Sequence, residues 1–493
     1  MTLANHLLRY FTSTMKKILQ QYTGVALGFL LMASMHSCKD SKTISSKEKN
    51  RPVGKVYVTT LDQSQLLAES ELYQTQSKSS EQLPVIQINP GKTYQKMDGF
   101  GYTLTGGSAM HIHNMKDDAR HALLKELFGR DASSIGVSYL RISIGASDLD
   151  EAPFSYDDLA EGETDKNLEH FSLANDTLHL IPVLKEIIKI QPNIKILGSP
   201  WSPPTWMKTN NDTRGGSLKE EFYDSYARYF VKYIEAMKAE GITIDAITVQ
   251  NEPLHPGNNP SLLMEAEQQK EFVKNHLGPV FEENNINTKI IVYDHNADRP
   301  DYPITILNDS VAAKYIDGSA FHLYGGEVDA ISKVHEAHPD KNLYFTEQWV
   351  GAPGDFAKEM NWHTENLIIG ATRNWCKTVL EWNLAADENQ EPHTDRGGCD
   401  RCLGAITIKG DKVIREPAYY IIAQASKFVT PSSVRIESNL LKDLPNVAFS
   451  TPKGKIVVIV QNKNKKEQSF LLQLENETLE VKLPAQSVGT YVI

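Results

Sequence analysis

The sequence has little of several features that define other classes of protein. Only four of its 493 residues are cysteine, too few for a disulfide scaffold. Lys and Arg total 51 against 62 Asp and Glu, which argues against a nucleic-acid partner because such a face needs clustered cations. The glycines at 99, 101, 106 and 107 lack the spacing of a phosphate-binding loop, so nothing supports a dinucleotide-binding protein. What is present is an ordinary globular composition, 40% hydrophobic and 23% charged.

The first 38 residues have the layout of a bacterial export signal. Lys16 and Lys17 give a positive start, residues 25–32 form an apolar run too short to span a bilayer comfortably, and Cys38 follows a short polar stretch. We predict a lipoprotein-type signal peptide over 1–37, for which Met15 is the better start, and a lipid on Cys38. A Lys/Ser-rich flexible tether would follow over 38–52. An ordinary cleaved signal without lipid on Cys38 is the alternative.

Strand and helix patterns alternate through the middle of the chain. Helical stretches separate eight candidate strands, at 99–104, 137–144, 194–198, 244–250, 289–293, 319–323, 342–346 and 378–383. This alternation predicts an α/β protein with a (β/α)8 TIM barrel over 96–427; a doubly wound open sheet is the alternative. Short strands over 53–95 and 428–493 predict one side β-sandwich, because chain termini often lie close together. The Gln/Ser-rich stretch between the first two of those strands is predicted to be helical.

A barrel of this kind places its chemistry at the carboxyl ends of its strands. Those ends carry carboxylates, amides and aromatic side chains: Arg141 and Asp148, Trp201, Asn251 and Glu252, Tyr324, Glu347 and Trp349, and Trp382. Two glutamates, one to protonate the leaving oxygen and one to attack or stabilise the sugar carbon, suit glycoside hydrolysis. Tryptophan faces can pack on sugar rings, while Asp, Asn and Tyr can hydrogen-bond hydroxyl groups.

The motifs along these strands resemble glycoside hydrolase family 30, the retaining β-glycosidases of clan A that include lysosomal glucosylceramidase. The matching stretches follow the family order: MDGFG at 97–101, YLRI at 139–142, SPWSPPTWMKTN at 199–210, QNEP at 250–253, FTE at 345–347 and EWNL at 381–384. Asn-Glu-Pro alone is shared across the clan, whereas together with the Ser-Pro-Trp segment it is specific. The resemblance covers nearly the whole mature chain and implies a barrel with a side β-sandwich.

The resemblance also implies a role for individual residues. Glu252 would be the acid/base and Glu347 the nucleophile of a double displacement through a covalent glycosyl-enzyme. Contacts with the sugar are implied for Asp148, Trp201, Asn251, Tyr324, Trp382 and His393, the last standing where the family often has asparagine. Arg141 resembles an arginine that orients the carboxylates, with a structural ion pair as the alternative. This chemistry requires a raised pKa at Glu252 and an ionised Glu347.

The resemblance favours a β-D-glucosyl substrate, and two kinds remain open: a glucosylceramide-type β-glucoside and β-1,6-glucan. We expect no cofactor and no metal, because the Cys399-x-x-Cys402 motif lacks a second ligand pair; a disulfide or two free thiols is favoured there. Cys376 is expected in the core, on an apolar helix.

The expected partners are a carbohydrate or glycolipid substrate and, through Cys38, a membrane of a Gram-negative bacterium, on the periplasmic side or at the cell surface. We expect a monomer. A non-catalytic, glycan-binding lipoprotein on the same scaffold is the alternative from another class. It is disfavoured because such a protein would normally have lost a catalytic carboxylate, and both glutamates are present here.

Overall fold

The computed structural model describes residues 52–74, 83–475 and 477–493. The predicted signal peptide over 1–37, the lipidation site at Cys38 and the tether up to residue 51 lie outside the described residues. Within those described ranges, no helix has both the length and the apolar character needed to cross a membrane.

The strands are numbered in chain order. Those before the barrel are β1 (Pro52–Thr60), β2 (Ala68–Tyr73) and β3 (Val85–Lys96). The barrel strands, with short strands between and after them, are β4 (Gly99–Thr103), β5 (Tyr139–Ile144), β6 (Lys195–Pro200), β7 (Ala246–Thr248), β8 (Lys289–Asn296), β9 (Ile316–His322), β10 (Asn342–Glu347), β11 (Val350–Gly351), β12 (Cys376–Asn383), β13 (Ala385–Ala386), β14 (Cys402–Leu403), β15 (Ile406–Lys409) and β16 (Lys412–Arg415). The strands that follow are β17 (Val434–Ser438), β18 (Asn446–Ser450), β19 (Ile456–Asn462), β20 (Gln468–Leu474), β21 (Glu477–Leu483) and β22 (Ser487–Val492).

The α-helices lie mainly between the barrel strands. They are α1 (Gly106–His113), α2 (Asp117–Phe128), α3 (Leu180–Ile190), α4 (Tyr223–Ala239), α5 (Ala266–Phe272), α6 (Gly278–Glu283), α7 (Asp301–Leu307), α8 (Ser310–Ala313), α9 (Ser332–Ala337), α10 (Phe356–His363) and α11 (Pro417–Ser426). Two π-helical segments, Val273–Leu277 and Thr364–Ala371, continue α5 and α10. Helix α3 shows why these stretches are helical: its buried residues Leu180, Val183, Leu184 and Ile187 recur at spacings of three and four.

The eight strands β4, β5, β6, β7, β8, β9, β10 and β12 form a closed parallel barrel, in which β12 pairs with β4 to complete the circle. A buried layer with one residue from each of seven strands forms its own apolar cluster: Tyr139, Leu197, Ala246, Ile291, Ala320, Tyr344 and Leu380. Neighbouring residues such as Leu140 and Val379 belong instead to the large cluster that includes the helices. This alternation is the period of two of a strand with one face inside the barrel. The predicted (β/α)8 barrel is confirmed.

The strands before and after the barrel pair with one another, in the order β2-β1-β22-β19-β18-β17-β3-β20-β21. Strand β1 runs antiparallel to β22, and β3 runs antiparallel to β17. On β19, Val458 and Val460 belong to the core of this sheet, whereas Val457 and Ile459 belong to the cluster that includes the barrel. The predicted side β-sandwich built from both ends of the chain is therefore confirmed.

Two local predictions are wrong. Residues Ala68–Tyr73 form strand β2 and not a helix, because they pair antiparallel with the edge of β1. Cys376 is buried with a free thiol as expected, but it begins strand β12. The preceding residue, Trp375, has φ of 74°, which turns the chain out of the helical segment before Cys376.

Leu380 tests the interior layer of the barrel. Its side chain is 0% exposed, so Leu380→Ala should lower the free energy of unfolding by about 2–5 kcal/mol through lost burial and the cavity left behind. The matched control is Leu440→Ala, at a side chain that is 63% exposed and should lose less than about 0.5 kcal/mol. Urea titrations of both variants measure the difference. Equal losses in the two variants would contradict the packing described here.

Candidate active site

The carboxyl ends of the barrel strands surround a cavity of about 360 Å³. Six residues predicted from the sequence line it: Asp148, Trp201, Glu252, Tyr324, Glu347 and Trp382. The other lining residues are His255, Asn258, His295, Asn296, Trp349, Cys399 and Cys402. The volume is within the range of pockets that bind small molecules, and the lining combines aromatic faces with convergent polar groups.

Glu252 is held on a constrained turn just after β7. Its φ is 44°, a left-handed conformation that costs a non-glycine residue roughly 1–2 kcal/mol. The amide of Glu252 donates to the carbonyl of Asp294 at 3.0 Å, and its own carbonyl accepts from the amide of His255 at 2.8 Å. These two backbone hydrogen bonds fix the direction in which the carboxyl group enters the cavity.

Arg141, on β5, lies beneath the cavity and is completely buried. Its guanidinium group forms an ion pair with Glu347. It also donates to Asn251 Oδ1 at 2.6 Å, to Asp294 Oδ2 at 2.8 Å and to Ser199 Oγ at 3.1 Å. These contacts gather polar groups from the ends of several barrel strands around one cation. The buried ion pair is present, and the role of Arg141 in orienting the carboxylates stays a prediction.

His322, the last residue of β9, lies close to the carboxyl groups of both Glu252 and Glu347. One side-chain atom from each of Glu252, His322 and Glu347 lies within 4.8 Å of the other two. His322 Nδ1 is 3.2 Å from Glu252 Oε1 and 3.9 Å from Glu347 Oε1, and its Nε2 is 3.1 Å from Asp294 Oδ1. Tyr324 donates its hydroxyl hydrogen to Glu347 Oε1 at 3.0 Å. The arrangement supplies two carboxyl groups, a proton-bearing imidazole and two donors to Glu347.

An aromatic wall faces these carboxyl groups. The rings of Trp201 and Trp382 stack with centroids 5.3 Å apart and planes at 29°. The indole Nε1 of Trp201 is buried, and it has no hydrogen-bond partner among the described residues. An unpaired buried donor beside a cavity is suited to a hydroxyl group that a ligand brings.

The loop after the eighth barrel strand completes the wall. Cys399 and Cys402, for which a disulfide and two free thiols were both open, are joined in a disulfide. Strand β14, which begins at Cys402, pairs antiparallel with β11, just after Glu347. The disulfide therefore borders the cavity beside Trp349, and its sulfurs are not free thiolate ligands for a metal.

Comparison with known families agrees with this geometry. The model of the glycosyl hydrolase family 30 TIM-barrel domain matches residues 97–429, and the model of the family 30 beta sandwich domain matches residues 432–491. The chain belongs to glycosyl hydrolase family 30. It is a glycoside hydrolase, as the sequence motifs indicated.

Curated relatives of this chain include endo-1,6-beta-D-glucanases and glucosylceramidases. An endo-1,6-beta-D-glucanase of Neurospora crassa is 36% identical over 361 residues, which are 71% of this chain and 73% of the relative. The lysosomal acid glucosylceramidase of Mus musculus is 28% identical over 440 residues, 83% of each chain. The solved structure of an endo-beta1,6-glucanase superposes with a TM-score of 0.83 at 35% identity, covering 89% of this chain and 98% of that one.

The structure does not bring His393 to the cavity of this family 30 enzyme, although the resemblance implied a contact with the sugar. Among the described residues that line the cavity, His393 is absent. Its Nδ1 lies 3.2 Å from the carbonyl oxygen of Thr394, and its Nε2 lies 3.4 Å from Glu391 Oε1. The neighbouring amide of Thr394 is tied to the carbonyl of Asp148 at 3.0 Å, which fixes the backbone in this position.

Sequence reasoning missed Asp294 and His295, which lie at the end of the fifth barrel strand. That strand was predicted to end at Tyr293, but β8 continues to Asn296. A usable signal was present: the polar triplet Asp-His-Asn follows directly after an apolar run, at the carboxyl end where the chemistry of a barrel is expected. His322, the last residue of the sixth barrel strand, was not assigned a role either.

The proton distribution differs from the one that the sequence analysis required. Burial raises the pKa of Glu252, but the hydrogen bond and charge of His322, together with the charges of His295 and His255, outweigh burial and place the pKa below its ordinary value. Burial raises the pKa of Glu347, which the charges of His322 and Arg141 only partly offset. Burial lowers the pKa of His322, but the interactions with Glu347, Asp294 and Glu252 outweigh burial and raise that pKa to about 9. In the ligand-free enzyme the proton near Glu252 therefore resides on His322.

The surroundings of Asp148 favour its protonated form at neutral pH. Burial first, and then the negative charges of Glu347 and Glu252, raise the pKa of Asp148 to about 8. A neutral carboxylic acid in the cavity can donate one hydrogen bond and accept another, which suits a sugar hydroxyl.

The pKa of His322 predicts a specific pH dependence of stability. Because folding raises this pKa from 6.5 to about 9, the stability from His322 is complete below pH 6.5 and is lost as the pH rises through 9. The contribution of His322 to the free energy of unfolding is at most about 3 kcal/mol. The Tm of the wild type minus that of His322→Gln should shrink between about pH 6 and about pH 10. His121→Gln, at an exposed histidine, is the control. A Tm difference that stays constant over this range would contradict the assignment.

Proposed function

We propose that this enzyme cleaves β-D-glucosidic bonds with retention of configuration, and that its substrate is β-1,6-glucan. In this proposal Glu347 is the nucleophile and Glu252 is the general acid and base. The observation that carries it is the separation of the two carboxyl groups, whose nearest oxygens lie within 4.8 Å of each other. Inverting enzymes need roughly 6.5–9.5 Å to fit a water molecule, whereas retaining enzymes have roughly 5–5.5 Å.

In the first step a carboxylate oxygen of Glu347 attacks the anomeric carbon, and the bond to the leaving oxygen breaks as Glu252 gives that oxygen its proton. Arg141 and Tyr324 hold the carboxylate of Glu347 in position through their hydrogen bonds. In the second step Glu252 takes a proton from water, the water oxygen attacks the anomeric carbon, and Glu347 leaves as a carboxylate. Two displacements at one carbon return the β-configuration.

The first step needs the proton on Glu252, while the ligand-free enzyme holds it on His322. The two groups are joined at 3.2 Å, so the proton can pass between them without a large movement. A bound sugar displaces water from the cavity. With less water present, the ionised forms of Glu252 and His322 are less well solvated, so the charged pair becomes less stable relative to the neutral pair. We infer that substrate binding favours the neutral pair, in which Glu252 is protonated and His322 is uncharged.

The aromatic wall would hold the glucosyl unit whose bond is broken. The stacked Trp201 and Trp382 offer apolar faces, and the unpaired Nε1 of Trp201 offers a donor. The neutral Asp148 adds a group that can both donate and accept. Asn251, which is held by Arg141, lies next to Glu252 in the chain and is the candidate partner of the 2-hydroxyl.

The surroundings of Glu252 support a saccharide and not a lipid as the leaving group. Asn258 Nδ2 lies 3.5 Å from Glu252 Oε2, and His295 Nε2 lies 3.8 Å from Glu252 Oε1. His255 and Asn296 also line the cavity. Polar groups of this kind are well matched by sugar hydroxyls and poorly matched by alkyl chains. The names of the relatives above 30% identity point the same way.

Product analysis tests the proposal. The enzyme should hydrolyse β-1,6-gluco-oligosaccharides with a higher kcat/KM than glucosylceramide, and NMR should detect the β-anomer as the first product. Glu347→Gln should have no measurable turnover, whereas Glu161→Gln, at an exposed glutamate, should retain it. A first-formed α-anomer would contradict retention, and unchanged turnover in Glu347→Gln would contradict the nucleophile. Binding of these glucans without wild-type turnover would favour the glycan-binding alternative.

A further inference from the structure

The long loop after β5, residues 145–179, brings a second group of ligating side chains together. Asp157, Asp165 and His170 each offer one oxygen or nitrogen atom, and these atoms lie within 4.8 Å of one another. None of the three lines the active-site cavity, within the part of the chain that the structure describes. The group therefore calls for an explanation apart from the hydrolytic reaction.

The carboxyl group of Asp157 is the unusual member. The residue is 1% exposed, and both of its carboxyl oxygens are buried with no hydrogen-bond partner among the described residues. The indole of Trp206 donates at 3.0 Å to the backbone carbonyl of Asp157 and so satisfies only the main chain. A buried carboxyl group without a donor is costly, and buried charges in proteins are normally paired or bound to a metal ion.

The other two residues hold each other in place beside it. Asp165 Oδ2 accepts from the backbone amide of His170 at 2.8 Å and lies 2.9 Å from His170 Nδ1. The side chain of Asp165 is 7% exposed, whereas that of His170 is 69% exposed. One side of the group is therefore open to water, which gives an ion a way in and leaves room for water ligands.

We propose that Asp157, Asp165 and His170 bind a divalent cation of the zinc type. Two carboxylates and one imidazole are ligands that Zn²⁺ accepts, with water completing the coordination, whereas Ca²⁺ and Mg²⁺ prefer oxygen ligands throughout. Two ligand atoms that are each about 2.0–2.1 Å from a tetrahedral zinc lie about 3.3 Å apart. The 2.9 Å between Asp165 and His170 is close to that separation. The sequence analysis expected no metal, and this proposal departs from it.

A cation there would stabilise the loop and would take no part in the hydrolysis. Asp148, which lines the active-site cavity, lies on the same loop as Asp157. The bond from Trp206 ties Asp157 to the segment after β6 that also carries Trp201. The ion would thus hold the loop that carries Asp148 against the segment that carries Trp201.

Calorimetric titration of metal-free protein with Zn²⁺ tests the proposal, using the full chain without a histidine tag. Zinc should bind at one site, and both Asp157→Asn and His170→Gln should weaken that binding at least about tenfold, the lower limit for loss of an outer-shell partner. His170 is exposed, so its variant should fold even if Asp157→Asn does not. Asp224→Asn is the matched control, because Asp224 also contacts a histidine, His276 at 2.6 Å, but has no third ligand nearby in the described part of the chain.

The active-site group of Glu252, His322 and Glu347 is the competing zinc site. Glu252→Gln should leave zinc binding unchanged, and zinc should raise the Tm of the wild type but not that of His170→Gln. The proposal is overturned if zinc does not bind, if Glu252→Gln abolishes binding while His170→Gln retains it, or if Ca²⁺ binds in preference to Zn²⁺. Because these readouts do not involve turnover, they are independent of the proposed hydrolytic mechanism.

Discussion

The buried guanidinium group of Arg141 compensates the charges on which the active site depends. The side chain is completely buried, and it contacts Ser199 on β6, Asn251 in the turn after β7, Asp294 on β8 and Glu347 on β10. Without this cation, Asp294 and Glu347 would be buried negative charges with less compensation, which is among the most costly arrangements in a protein. The barrel makes the network possible because all its strands run in parallel and their carboxyl ends meet at one rim.

A second cation, His322, determines where the protons lie. It contacts Asp294 on one side and Glu252 on the other, so its charge holds Glu252 ionised in the ligand-free enzyme. Burial, followed by neighbouring negative charges, raises the pKa values of Asp148 and Glu347. The ligand-free site is thus charged differently from the reacting site. In the proposed mechanism, a substrate that removes water would complete the change, which would link binding to the protonation of Glu252, the proposed general acid.

The barrel strands could be predicted from the sequence because both faces of each strand are buried. Each strand is therefore a run of apolar residues, and the polar residues that follow the run mark its end. Glu252, Glu347, Trp201 and Trp382 were found in this way. Asp294 was not, although the polar triplet that contains it follows an apolar run. The positive φ at Tyr293 and Asp294 and the irregular pairing there carry the strand past the residue at which it was predicted to end.

Three further properties depended on contacts between distant segments. Strand β2 exists because β1 has a free edge, the position of His393 is fixed by the bond between Thr394 and Asp148, and the proton near Glu252 is held by a histidine from another strand. The residues that neighbour each position in the sequence do not indicate these contacts. The electrostatic prediction was wrong because it considered burial and the neighbouring carboxylate but omitted the imidazole between them.

The most direct test of this account is to trap the covalent intermediate. A 2-deoxy-2-fluoro-β-glucoside with a reactive leaving group should label the enzyme with one glycosyl unit, because the fluorine slows the second displacement more than the activated first one. Peptide mass spectrometry should place that unit on Glu347. A label on any other residue, or hydrolysis of this reagent without a trapped intermediate and with inversion, would contradict the double displacement at Glu347.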